Sequence, residues 1–380
     1  MIPALVLNSP AMPLDPATGL SSLQAQLDQA MNRKDPLRAQ KILSGILAHR
    51  NLTLDFLMRL GMHLAEGGNY AEASRVFSRS AELYPQSFES HYNLALAELA
   101  QQRDAGASAA LQAARPVNAE QQFARQYLQG KIEAARGENS AARQDLQSAF
   151  EARPNNENYA LDLGLLDLET LDYRQAVSVF AKGLSRNSSS QYLALGLALG
   201  QFLAGETAAS RATSARLLRQ HPELSSARLL LAYSLYVEGN FTAAGAVTRH
   251  GVEAPGSHPY LDYLDAAVLL KLHSSNAPRI LRELNVAEAG IPKCSLCYVA
   301  ASKAHRQMHA AEDALRDLKT AVQLDPALPE AWYHLAQVED SLGHHAEAAT
   351  ARSRFAKLKA ERSSREDEML RAAFMKSLSN

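Results

Sequence analysis

The stretch LMRLGMHLAEGGNYAEASRVFSRSAELYP, residues 57–85, decides how the rest of the chain is read. Leu57, Leu60, Gly61 and Leu64 fall at helical spacing; Gly68, Asn69 and Tyr70 interrupt it; Ala73, Phe77 and Ala81 resume it, and Pro85 ends the run. The order predicts helix, turn, helix, stop.

Moving the frame along the chain reproduces that order. The position of Ala73 is held in turn by Ala39, Ala73, Ala107, Ala142, Ala176, Ser210, Ala244, Pro278, Ala314 and Ala348, in steps of 34 residues apart from one of 35 and one of 36. The position of Gly61 is held by Leu27, Gly61, Ala95, Gly130, Gly164, Ala198, Ala232, Ala266, Ser302 and Ala336, all small except the first. Small residues let two helix backbones approach. Large partners fill the gaps between them: Leu60, Leu94, Leu163, Leu197, Leu231 and Leu335 on first helices, Phe77, Leu111, Leu146, Phe180 and Leu318 on second helices. The expected fold class is all-α, a helix-turn-helix unit repeated about ten times.

With Trp332 on a first helix and Pro85, Pro154, Pro222 and Pro326 closing their units, the pattern resembles the tetratricopeptide repeat family. The likeness is clearest in residues 57–85 and 160–188 and in the units of Tyr298 and Trp332. It implies a right-handed α-α superhelical solenoid over residues 20–358, with units starting near 20, 54, 88, 123, 157, 191, 225, 259, 295 and 329. It also implies a non-enzymatic scaffold with no cofactor, whose partner is a protein or peptide. Some members of that family clamp a terminal carboxylate with lysine, asparagine and arginine at set positions. Here Asn93 occupies one such position alone, which argues against that mode.

Composition agrees with an array in which each repeat touches only its neighbours. Aromatic residues make up 6% of the 380, with one tryptophan. The 39 basic and 40 acidic residues leave a formal charge of -1, too little field to expect nucleic acid as partner. The one long apolar run, residues 192–205, contains Gln201 and is shorter than the roughly 20 residues a membrane span needs. Residues 1–19 carry Pro3, Pro10, Pro13 and Pro16 and read as a loose arm. Its apolar patch from Ile2 to Leu7 lacks a basic flank, so the cytoplasm is the expected location; an exported protein with a clipped signal is the alternative. Residues 359–380 read as a basic C-terminal helix or tail, with Leu370, Phe374 and Leu378 at helical spacing. The pattern does not fix an oligomeric state.

Two features could carry chemistry. Cys294 and Cys297 form the one cysteine pair, with CxxC spacing at a helix start. A zinc site would need further ligands, and His305 stands about 12 Å along the same helix at 1.5 Å rise per residue. Buried structural cysteines, or a disulfide between Cys294 and Cys297, are therefore expected, with metal or redox chemistry as the alternative. His305 and His309 at i, i+4 lack the glutamate of a zinc-protease motif, and with His344 and His345 they read as solvent-facing.

The candidate binding surface is a second apolar stripe on the first helices, offset from the packing stripe. It comprises Leu161, Leu165 and Leu168, then Leu195, Leu199 and Phe202, then Leu229, Tyr233 and Tyr236, with Tyr192 and Tyr263 nearby. An apolar stripe beyond what stacking needs marks an interaction site; the alternative is that a tightly wound solenoid buries part of it between adjacent first helices. The competing reading is an accessory or regulatory subunit of an enzyme or envelope-assembly complex, docked by its ends.

Overall fold

The structure, a computed structural model, describes residues 19–252 and 258–359 together with Met375 and Leu378. The proposed arm is outside the described residues except for Gly19, and the C-terminal segment except for Lys359, Met375 and Leu378. Twenty helices and no strand occur among the described residues. They fall into two compact units, Met1–Thr170 and Leu171–Asn380.

The first unit contains α1 (Leu20–Asn32), α2 (Pro36–Leu47), α3 (Leu54–Glu66), α4 (Tyr70–Leu83), α5 (Phe88–Ala100), α6 (Asp104–Ala113), α7 (Ala119–Ala135), α8 (Asn139–Ala152) and α9 (Glu157–Glu169). The second contains α10 (Tyr173–Arg186), α11 (Gln191–Leu203), α12 (Thr207–Gln220), α13 (Ser225–Val237), α14 (Phe241–Val252), α15 (Pro259–Lys271), α16 (Ala277–Gly290), α17 (Ser295–Gln307), α18 (Ala311–Leu324), α19 (Pro329–Ser341) and α20 (His345–Lys359). Within each unit successive helices pack on one another except α2 and α3, where α2 packs on α4 instead, and from α3 on first helices touch the first helices of the next repeat in the same unit.

Local chemistry sets the helix ends. Side-chain oxygens cap several first helices: Thr53 accepts from the Phe56 amide at 3.2 Å, Ser87 from Ser90 at 3.1 Å and Ser190 from Leu193 at 3.0 Å. The turn inside each repeat holds one left-handed residue: Lys34, Gly68, Gln102, Gly137, Leu171, Gly205, Gly239, His273, His309 and Gly343, with φ from 53 to 81°. This is the residue just past the helix end, where reversing the chain returns amide hydrogens to the last carbonyls: Asn69 donates to Leu64 and Arg103 to Glu98. The conformation therefore recurs where glycine does not.

Packing follows the small-against-large columns. A Cβ built on Gly61 would lie 2.4 Å from the Phe77 ring, and one on Gly130 would lie 2.9 Å from the Leu146 side chain. Phe77, Ala73, Leu57 and Leu60 are buried in one core cluster. The glycines let the neighbouring side chain lie directly against the helix backbone.

The eighth repeat corrects the expected register. Every other second helix starts nine residues after the small position of its first helix, as Tyr70 does after Gly61. By contrast, α16 starts at Ala277, eleven after Ala266. Asn276 caps it by accepting from the Arg279 amide at 3.2 Å, and Pro278 sits in the first turn, where its missing donor is not needed. Ile280, fully buried, takes the place of the alanine column, and the step from Ile280 to Ala314 is again 34. The two extra residues therefore lie in the Ser274–Asn276 turn, and the connection through Gly290 and Pro292 adds none.

Two stability outcomes follow. Gly61→Ala should cost about 1–3 kcal/mol by overpacking and Phe77→Ala about 3–5 by cavity formation, read by chemical denaturation. Leu171 is 58% exposed and holds φ 66°, so Leu171→Gly should raise the unfolding free energy by about 0.5–1 kcal/mol, whereas Gly205→Ala at φ 81° should lower it by about 1. Opposite signs at equivalent positions test the shared turn conformation.

Candidate partner-binding groove

The proposed stripe is placed differently along its length. In the first unit, on α9, Leu168 is fully buried while Leu161 and Leu165 are half-buried. In the second unit Leu195, Leu199, Leu229, Tyr233 and Tyr263 are all buried, with Leu199 at 0% exposure. Tyr192, Phe202 and Tyr236 are half-buried, so they alone of the second-unit stripe keep substantial surface. The aromatic members form a connected row. Phe202 and Tyr233 have ring centroids 5.4 Å apart, Tyr233 and Tyr236 6.2 Å, and Tyr236 meets Phe241 edge-on at 5.5 Å. Lys271 Nζ lies 5.9 Å from the Phe241 ring centroid, a cation at the end of the row.

Beside the stripe lies a polar column, buried at Glu133, Asp167 and Glu339 and half-buried at Glu98, Gln201 and His305, that sequence reasoning missed. Three residues past the small position of the first helix stand Glu98, Glu133, Asp167, Gln201, His305 and Glu339. In the first unit Glu98 accepts from the Ser74 hydroxyl, and Asp167 accepts from Arg143 Nε at 2.7 Å. In the second, Gln201 accepts from Thr213 at 2.9 Å, His305 pairs with Asp317 at 2.7 Å, and Glu339 pairs with His344 at 2.6 Å and Lys319 at 3.5 Å. The signal was present as a 34-residue recurrence of polar residues at a core phase. Asp265, in the usual leucine position, is satisfied likewise by Thr248 at 2.6 Å and Arg279 at 2.7 Å. Burial pushes the Asp317 carboxyl above the usual carboxylate range, against the opposing pull of His305.

The cysteines are joined as a disulfide. Both are buried; Cys294 caps α17, its Sγ accepting from the Cys297 amide at 3.2 Å. Of the four histidines, His305 is drawn to Asp317 and half-buried rather than solvent-facing, while His309 stands exposed at its turn. Among the described residues no group of three His, Cys, Asp or Glu is arranged to hold a metal ion. No helix among them is long and apolar enough to cross a membrane.

Residues 25–87 and 58–124 match a tetratricopeptide repeat family model, over repeats whose geometry has just been described. Residues 25–124 belong to the tetratricopeptide repeat family. Similar solved structures include a tetratricopeptide repeat protein from Parabacteroides merdae, 15% identical over 76% of this chain and 99% of that one, TM-score 0.47. Yeast Tom70 is 13% identical over 96% of each chain, TM-score 0.41. The C-terminal part of a repeat protein from Cytophaga hutchinsonii is 16% identical over 73% of this chain and 99% of that one, TM-score 0.43. No curated protein matches the sequence. Tetratricopeptide-repeat proteins are generally non-enzymatic scaffolds. In this one, Asn93 is turned inward, 6% exposed, with its amide 3.6 Å from Met58 Sδ, so it presents no carboxylate clamp.

Toward the end of the second unit the stripe turns polar, with Arg306 bonded to Gln337 at 2.9 Å and Asp340 bonded to Arg352. His334 sits among these groups. Burial, reinforced by the Lys303 charge, lowers its pKa from 6.5 to about 4. The neutral ring is thus favoured in the folded state, and the unfolded chain binds the proton first. The resulting stability is fully present above pH 6.5 and is lost as pH falls toward 4. His334→Gln should flatten the fall in melting temperature between those values; an unchanged slope would remove His334 from the acid response.

Proposed function

We propose that the protein is an interaction scaffold whose second unit receives an apolar polypeptide segment along α11, α13 and α15. One observation carries this reading. Residues 193–200, 229–235 and 261–268 are buried without a break, so these helices have no solvent-facing side over about two turns. Packing between two second helices leaves one face of a first helix open, as on α3, where Asp55, Arg59 and His63 are exposed. The same register holds Tyr192, Gly196 and Gly200 on α11, Ser226, Leu230 and Ser234 on α13, and Tyr260, Leu264 and Val268 on α15. Charged groups have been replaced there by apolar and small ones, the composition of a surface made to be covered.

Docking by the array's end is favoured by a separate feature. Tyr333, 44% exposed, stacks obliquely on Phe355 beside a cleft of about 180 Å³ lined also by Pro329, Glu330 and Lys359.

The test uses the half-buried residues, because Leu199 has no exposed surface and an aspartate there would unfold the helix. A photo-crosslinking phenylalanine analogue at position 202 or 236 should form adducts with an apolar polypeptide segment. The same analogue at position 37, where Leu37 is 79% exposed in the first unit, should form none. Adducts at position 333 instead would favour end docking, and their absence at 202 and 236 would remove the groove.

A further inference from the structure

We infer that the segment lying in this groove in the isolated chain is the chain's own C-terminus, residues 370–378, making the groove self-occupied until a competing segment displaces it. The inference rests on the groove reading above. Its starting point is Leu378, which is 3% exposed although it follows Lys359, the last residue of α20, by nineteen residues. A leucine on so short an apolar segment becomes buried only by entering an apolar surface larger than its own segment can make. Met375 is half-buried beside it.

The sequence of the segment suits the surface. Leu370, Phe374 and Leu378 stand at i, i+4 and i+8, which on a helix makes one apolar stripe about 12 Å long, at 1.5 Å rise per residue. Glu366, Asp367, Glu368, Arg371 and Lys376 supply the polar remainder. The groove offers matching apolar and aromatic positions on three successive first helices, and Phe202, Tyr192 and Tyr236 retain surface at its margins. Reach is sufficient. Fourteen residues separate Lys359 from Phe374, about 50 Å when extended, against roughly 30 Å from α19 back to α13 at about 10 Å per helix step. The other segment outside the described residues within this unit, 253–257, reads Glu-Ala-Pro-Gly-Ser and has no large apolar side chain to contribute. A foreign partner would need to present the same pattern of three apolar residues one helical turn apart, and it would compete with a tethered segment present at an effective concentration on the order of millimolar.

The experiment uses the full chain. A photo-crosslinking analogue at position 374 should give an intramolecular adduct whose fragments come from α11, α13 or α15. In a second arm, Leu370→Asp, Phe374→Asp and Leu378→Asp are combined, and a fluorescent peptide of residues 366–380 is titrated in. The variant should bind the peptide at least tenfold more tightly than the unaltered chain, because the tethered competitor is gone. Adducts from position 374 to a second copy, to other helices or to nothing overturn the assignment, as does equal peptide affinity. If the triple variant does not fold, the crosslinks from the otherwise unaltered chain decide. The two readings also fail separately. Adducts from positions 202 and 236 to a foreign polypeptide or to residues 2–7, with none from 374, keep the groove and discard its occupant; no groove adducts from any of the three discard both.

Discussion

A phenylalanine ring lying where a Cβ would otherwise stand is the contact on which the rest of the molecule depends. Phe77 reaches the backbone of α3 because residue 61 is glycine, and Gly130 with Leu146 repeats the arrangement two repeats later. Dispersion forces are short-ranged, so two helices that close to this distance gain far more contact than two kept apart by side chains on both surfaces. Each repeat obtains this contact from itself and its neighbours, so helices of 10–17 residues, marginal in isolation, become stable as a stack.

That arrangement constrains everything placed on it. The turn after each first helix must reverse the chain within a few residues, and it does so through one left-handed residue even where lysine, glutamine, leucine or histidine occupies the position. The polar column adds a second constraint. A carboxylate in the core costs several kcal/mol unless it is paired, so Asp167 with Arg143, or Glu339 with His344 and Lys319, favours the one helix phase that brings the pair together. Asp265 plays the same part where the eighth repeat departs from pattern, linking α14, α15 and α16 through Thr248 and Arg279. The inserted turn and the substituted core position are thus parts of one local solution.

The surface along α11, α13 and α15 differs from the remainder because two demands meet there. The packing stripe holds the paired helices together, and the apolar residues outside it meet between successive repeats, as Phe202 on α11 meets Tyr233 on α13. Their burial ties the functional reading to what covers them, and the tyrosines at the margin combine apolar area with a hydroxyl that tolerates water.

The sequence by itself determined the helices, their pairing and the small-against-large columns, because these depend on contacts at fixed short separations that a 34-residue period makes visible. Only the tertiary structure decided that Ile280 replaces the missing alanine, since both candidate registers preserve helical spacing and burial alone separates them. Only the structure paired Asp317 with His305 and Thr213 with Gln201, because partners twelve residues apart carry no periodic mark. It likewise divided the apolar stripe into buried Leu199, Leu229 and Tyr233 and half-buried Phe202 and Tyr236. An apolar residue looks the same in sequence whether its surface is covered or left for a partner, and the difference lies in what the rest of the fold brings against it.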